Sequence, residues 1–339
     1  MVGTDPGTSS LDLLLLVDGQ VKAQARLLPD DARRNPDLLM STLRAWEPIT
    51  LVAGPSGYGL PLVPAERVGE AEIEAMSLVR PDERGSGVGV IGFRTWVRAL
   101  LASGLPVVFL PGGIHLPPIP AHRKVNTIDM GTPDKVAVAA LALYAHARET
   151  GCALDESTFA VLELGTSFSA ILVVEGGRIV DASAGTRGPL GIGSAGAWDG
   201  EAAYWLSPLS KADLFRGGLL DLGPEGPAAL RESLRKHAAG LRAVTPFDRI
   251  YLSGAALERP DWHTIAVQAL EPLGDVRDLP HLPAAWVKHA AQGSALLADG
   301  LAGGENAPLV DALQLRQAAG SVFDHLPTRA SLENRSAQP

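Results

Sequence analysis

A single cysteine, Cys152, stands in 339 residues. That excludes a disulfide within the chain and any cysteine-built metal cluster. It leaves Cys152 as a small residue near a domain junction. Basic blocks are missing as well: 29 Lys and Arg stand against 38 Asp and Glu, a formal charge of −9. Nucleic acid is therefore not expected as a main partner. A nucleotide is not excluded, since it needs only local N–H donors and a cation. Long apolar runs are absent too. Leu13 to Val17 is far too short to span a bilayer, so no membrane partner is expected. The acidic N-terminus enters a strand at once and does not read as a leader peptide. The expectation is a cytoplasmic protein. At 339 residues the chain exceeds what one core comfortably holds, so two domains are expected.

What the chain does have is one turn written twice. Asp5-Pro6-Gly7-Thr8-Ser9 returns as Glu163-Leu164-Gly165-Thr166-Ser167. Each copy is an acid, an apolar residue, then Gly-Thr-Ser. Each is followed by an apolar run, an acid-Gly turn and a further extended segment, so the unit predicted is strand, turn, strand, turn, strand. Two such units predict two similarly built domains, residues 1–152 and 153–329, facing each other across a cleft. Residues 330–339 are polar and expected to be a disordered tail. The chemistry of the turn is phosphate binding. A glycine lets backbone N–H groups approach an anion because no Cβ intervenes. The hydroxyls of Thr8, Ser9, Thr166 and Ser167 add donors beside Gly7 and Gly165. The acids Asp5 and Glu163 suit Mg²⁺ or its waters. Either turn alone would pass for an ordinary hairpin; two in register point to a site.

The rest of the chain alternates strand and helix. Residues 49–53 and 106–110 read as buried strands, each running into a Gly/Pro loop of the kind that shapes a ligand crevice. Residues 37–45, 70–78 and 93–103 read as helices. Arg94, at the start of the last of these, is placed to meet an anion, although a solvated helix arginine explains it as well. Residues 134–149 form an Ala-rich helix, with Thr132 as N-cap and Pro133 as its first residue. Its N-terminus favours anions, and Asp129, Asp134 and Lys135 gather there. Asp134 also fits a plain interaction with the helix dipole, worth about 0.3–1 kcal/mol. Asp129, in the loop, has no such structural reason. Residues 185–201 are the densest glycine loop, with Arg187 as its one fixed cation, and read as a loop wrapping a ligand. Ser253-Gly254-Ala255 follows a strand at 249–252, a usual place for base and sugar. Residues 227–241 and 286–301 complete the helices. Gly293 in the last one marks a close-packing site.

Together these residues resemble the superfamily of acetate, butyrate and sugar kinases, actin and the heat-shock chaperone ATPases. The likeness lies in residues 3–9, the Glu163 turn, Ser253-Gly254 and the final Ala-rich helix. Within it the chain is similar to a prokaryotic group described as predicted butyrate kinases, through residues 53–59, 129–135 and 197–201. The resemblance implies two ribonuclease-H-like, actin-like ATPase domains around a nucleotide cleft. It implies ATP held by both Gly-Thr-Ser turns, adenosine at Ser253, Gly254 and Ala255, and Mg²⁺ near Asp5 and Glu163. The chain departs from the family pattern in having Asp5-Pro6-Gly7 for Asn-Gly-Ser-Ser, Glu163 for Asp, and Ser253-Gly254 for Gly-Gly.

Two acceptor chemistries compete. A short-chain carboxylate is already ionised and needs cations rather than a base. Arg94, His115, Arg123, Lys124 and Arg187 are available, and Arg187 is the strongest of them. A sugar or polyol needs a carboxylate base, for which Asp129 or Asp134 would serve. The carboxylate is the leading expectation. A nucleotide-binding module without turnover is a third reading. A carbamoyl-type transferase would need paired metal-ligand histidines, which the spacing of His115 and His122 does not provide. The partner expected is a small-molecule acceptor, and the sequence leaves room for a homodimer.

Overall fold

Leucine-rich and β-branched runs separated by Gly turns build a three-strand meander at the N-terminus: β1 (Val2–Pro6), β2 (Leu11–Val17) and β3 (Gln20–Leu27). The computed structural model describes residues 1–7, 10–28, 31, 35, 37–83 and 93–326. Thr8 and Ser9 thus lie outside the described residues, as does the tail at 330–339. β4 (Val52–Pro55) runs parallel to β1, β5 (Val63–Pro64) is a short edge, and β6 (Val107–Leu110) is parallel to β4. The sheet order is β3-β2-β1-β4-β6-β5. β4 extends into Gly54 and Pro55, which pair with Phe109 and Leu110. The sequence placed both residues in a loop.

The second sheet repeats the plan. β7 (Phe159–Leu164), β8 (Ser169–Glu175) and β9 (Arg178–Ala184) form its meander, with β10 (Arg249–Ser253) and β11 (Asp275–Asp278) parallel beyond β7. Its order is β11-β10-β7-β8-β9. The two copies agree in detail. Gly7 N–H donates to the Ser10 carbonyl at 2.9 Å, and Gly165 N–H to the Phe168 carbonyl at 3.0 Å. The register slips between Leu15 and Leu16 in the first copy and between Val173 and Val174 in the second. That is the same spacing as from Asp5 to Glu163.

Side chains alternate across each strand, and both faces of both sheets are covered. In β2, Leu14 and Leu16 enter the central core while Leu13 and Leu15 enter an outer one. In β8, Leu172 and Val174 face the centre while Ile171 and Val173 face out. The helices Leu38–Arg44, Glu70–Ser77 and Phe93–Leu101 cover the outer face of the first sheet. Gly226–Val244 and Pro260–Leu270 cover that of the second. Between the sheets lie two helices, Pro133–Thr150 and His289–Leu301. They approach closely because a Cβ on Gly293 would stand 1.8 Å from the Ala137 carbonyl oxygen. The last helix also lies on β1, where a Cβ on Gly3 would meet the Ala291 oxygen at 2.1 Å.

β11, among other short elements, was not expected from the sequence: it is a charged edge strand without apolar alternation. Pro260–Leu270 is the helix expected after the Ser253 turn, with a proline at its N-terminus. The final helix begins at His289, since Lys288 is still extended at φ −53°, ψ 147°. Among the described residues no helix is long and apolar enough to cross a membrane.

Candidate active site

A cavity of about 1000 Å³ opens between the two sheets. Strand ends and helix starts converge on it, because both meanders turn there and both central helices begin there. Asp5 and Glu163 are the penultimate residues of β1 and β7. Each faces a lysine delivered by a central helix belonging to the other half. Lys135, from the start of Pro133–Thr150, holds its Nζ 3.1 Å from Glu163 Oε2 and 2.5 Å from Asp134 Oδ2. Lys288, just before His289–Leu301, holds its Nζ 3.7 Å from Asp5 Oδ2 and donates to the Ser10 carbonyl at 3.3 Å. The Lys288 N–H donates to Asp12 Oδ2, whose carboxylate Arg26 grips through Nε and Nη2.

Burial dominates the ionisation of this cluster. It pushes Asp5 up to about 6 against the pull of Lys288, and it raises Glu163 against the pull of Lys135. Burial acts on Asp134 in the same direction, but Lys135 and the Thr132 hydroxyl outweigh it and hold its carboxyl down. Burial would lower Lys135, yet Asp134 and Glu163 hold it up. The Glu163 Oε2 ion pair lacks hydrogen-bond geometry, so that buried oxygen keeps a lone pair without a donor.

A second group sits on the same cavity. Asp129 Oδ1 accepts from the Gly131 N–H at 2.8 Å. Its other oxygen lies against Gly185, which has φ +59°; a Cβ there would be 2.3 Å from Asp129 Oδ2. Burial pushes Asp129 up to about 6. Across from it Lys211 Nζ donates to Tyr58 Oη at 2.8 Å and lies 4.1 Å from the ring centroid. The Lys211 backbone N–H donates to Glu83 Oε1 at 2.6 Å, tying residues of the second half to the first. Burial lowers Lys211 to about 8 and raises the Tyr58 phenol.

The third region surrounds Ser253. Its hydroxyl is 2.9 Å from His289 Nδ1. Gly254, at φ +117°, packs its α-carbon on the Leu164 carbonyl, where a Cβ would come within 2.2 Å. His281 and His289 lie ring to ring at 4.2 Å, and Gln292 Nε2 donates to His281 Nδ1 at 2.6 Å. His289 Nε2 is buried without a partner. Burial, then His281, push His289 down to about 3, so this ring is neutral.

The structure brings Asp5, Gly7, Asp129, Asp134, Glu163, Gly165, Thr166, Ser167, Ser253, Gly254 and Ala255 onto one cavity. The other expected catalytic residues, Arg94, Asp134 and Arg187, each have a partner within the protein. Arg94 stands at the cavity wall with its Nη2 3.7 Å from Glu70. Asp134 has one oxygen on the Thr132 hydroxyl and the other on the Lys135 ammonium, and those contacts lower its basicity. Arg187 donates to the Val125 carbonyl and the Thr127 hydroxyl, and it lines an adjoining hollow of about 420 Å³ with Arg123, Asp181 and His237, which shares Asp129 with the main cavity. Lys124 and Arg123 spend donors on the carbonyls of Leu116 and Val180. Sequence reasoning missed Lys211, Lys288, His281 and His289. The only local signal was Lys288-His289 standing before an Ala-rich helix.

Among the described residues no group of three His, Cys, Asp or Glu is arranged to hold a metal ion. Asp5 and Glu163 fit Mg²⁺ in another way. Mg²⁺ takes one or two carboxylates and completes its shell with water and substrate phosphates, and Glu163 Oε2 has a free lone pair.

Residues 3–328 match the family described as "Protein of unknown function (DUF1464)". No curated protein matches. Among solved structures, the acetate kinase of Porphyromonas gingivalis is similar with a TM-score of 0.54 and 12% identity, over 80% of this chain and 87% of that one. The acetate kinase of Entamoeba histolytica is similar with a TM-score of 0.52 and 14% identity, over 80% of this chain and 86% of that one. The chain thus has the α/β fold of these enzymes, two ribonuclease-H-like sheets in the actin-like ATPase arrangement.

Proposed function

The chain belongs to that family of unknown function, and from its cleft we propose that it transfers the γ-phosphoryl group of ATP to a hydroxyl of a small acceptor. The observation that carries this reading is Asp129. Its half-buried carboxylate lines the same cavity as both Gly turns and has a pKa raised to about 6. A carboxylate acceptor has no proton to give up and no use for such a group. Arg187, the cation expected to hold a carboxylate, turns to Val125 and Thr127 instead.

In this reading the backbone of the Gly7 and Gly165 turns, with Lys135 and Lys288, takes the phosphates of ATP. Ser253, Gly254, Ala255 and the neutral His289 take the nucleoside. Asp5 and Glu163 hold Mg²⁺, which supplies neutralisation of phosphate charge. Asp129 accepts the proton of the attacking hydroxyl as its oxygen bonds to phosphorus, and ADP leaves. Gly185 and the Gly131 N–H fix the carboxylate for that transfer.

ATP-dependent turnover over a panel of sugars, polyols and short-chain acids tests the reading, for the wild type, Asp129→Asn and Arg187→Ala. Hydroxyl acceptors should react, and Asp129→Asn should lower kcat by about 10²- to 10⁴-fold. Turnover of short acids alone, kept in Asp129→Asn, would replace this reading with a carboxylate kinase. Tight ATP binding with no turnover on any acceptor would leave a nucleotide-binding module.

A further inference from the structure

Among the described residues, Lys211 is the cavity cation that makes no ion pair. Its ammonium touches only neutral oxygens, Tyr58 Oη at 2.8 Å and the Leu78 carbonyl at 3.5 Å. The other cavity cations are paired with acids: Arg94 and Arg98 with Glu70, Lys135 with Asp134 and Glu163, Lys288 with Asp5, and Arg26 with Asp12. Glu83 and Asp129 attract Lys211 from a distance, but among the described residues no carboxylate lies within 4 Å of it. Tyr58 receives the lysine's hydrogen bond and, as a phenol held protonated by burial, keeps its own O–H to donate. An ammonium and a phenol side by side make a two-donor seat for a carboxylate, and a charge-assisted bond there is worth about twice a neutral one.

We propose that the acceptor is a small hydroxy acid, with its carboxylate on Lys211 and Tyr58 and its reacting hydroxyl at Asp129. This rests on the phosphotransfer reading above and names the substrate class of the same site. Asp129, Tyr58 and Lys211 line the same cavity, where one small molecule can meet all three. The seat is assembled from both halves of the chain, since Lys211 is anchored through its backbone to Glu83 and Tyr58 follows β4.

The test compares kcat/KM for matched pairs, glycerate against glycerol and gluconate against glucose, with Mg-ATP. The wild type should prefer the acid of a pair by a factor on the order of 30, the size of one charge-assisted hydrogen bond. Lys211→Met should abolish that preference through KM, and Lys211→Arg should keep part of it. Calorimetric titration of Mg-ATP into Lys211→Met reports folding, because the phosphate turns and the Ser253 region do not include this residue. Equal turnover of acid and neutral partners, a preference that survives in Lys211→Met, or a preference for phosphorylated polyols over both would overturn the hydroxy-acid inference. Any of these would leave Asp129-dependent phosphotransfer standing. Absence of turnover on every hydroxyl compound would sink both.

Discussion

Asp129 shows how one side chain couples function to stability. Burial raises its pKa to about 6, and the Gly131 N–H only partly opposes that. A base works ionised, so kcat/KM should fall as pH drops through about 6, and a pH–rate profile should show that limb. The linkage runs the opposite way for stability. Between the ordinary carboxylate range and about 6, the folded chain binds more protons at this site than the unfolded one. Stability therefore falls as pH rises through that window, and at pH 7.5 the site holds an unfavourable buried charge. Asp129→Asn should lose turnover yet melt at a temperature a few degrees higher at pH 7.5, with the gain shrinking below about pH 5. Melting curves at the two pH values check this; an unchanged or lower midpoint at pH 7.5 refutes the assignment of burial as the cause.

At the scale of the element, the paired central helices set the width of the site. Gly293 allows their backbones to meet, since a Cβ would lie 1.8 Å from the Ala137 oxygen. Alanine would be the better helix former by about 1 kcal/mol, but no side-chain motion relieves a clash with backbone. Gly293→Ala should therefore destabilise the fold by about 1–3 kcal/mol or more, read as a lower denaturant midpoint. Lys135 stands in the first turn of one of these helices and Lys288 just before the other, so the same variant should bind Mg-ATP more weakly than the wild type. Loss of stability with unaltered nucleotide affinity would separate helix spacing from the site. The element scale also explains the strongest sequence signal. A turn closed by the same hydrogen bond at Gly7 and Gly165, and a register slip in the same place, are local events that local sequence specifies.

Across the whole molecule, the two halves are joined by crossed charges. Each central helix takes its lysine to the acid at the other half's turn, Lys135 to Glu163 and Lys288 to Asp5. Both lysines are 17% exposed, so distance ranks them: 2.5 and 3.1 Å for Lys135 against 3.7 Å for Lys288. Removing one partner of a buried pair leaves an uncompensated charge. Lys135→Met should then lower the unfolding midpoint more than Lys288→Met. Mg-ATP should raise the wild-type midpoint, the stabilisation reaching about 2.7 kcal/mol at 100 times Kd, and both variants should lose most of that rise. An undiminished thermal shift in Lys288→Met would remove this lysine from the phosphate site.

By itself the sequence determined the two-sheet plan, the repeated turn, the acids Asp5 and Glu163, the Ser253 turn and the Ala-rich central helices. Each is written in consecutive residues, as alternation in β2 and β8, as Thr132-Pro133 at a helix start, or as a motif present twice. It also singled out Asp129, because a loop carboxylate had no local structural purpose. Only the tertiary structure decided what these groups meet. Arg187 looked unpartnered in its glycine loop, yet it bonds to Val125 and Thr127 some sixty positions away. Lys211 carries no motif, and its partner Tyr58 lies 153 positions distant. Lys288 and His289 precede an ordinary Ala-rich helix and become site residues only because that helix folds back onto β1. Strand and helix periodicity reports burial of a face, whereas the partner of a charge depends on which distant backbones pack together. In this chain that is settled by Gly3, Gly293 and the helices between the sheets.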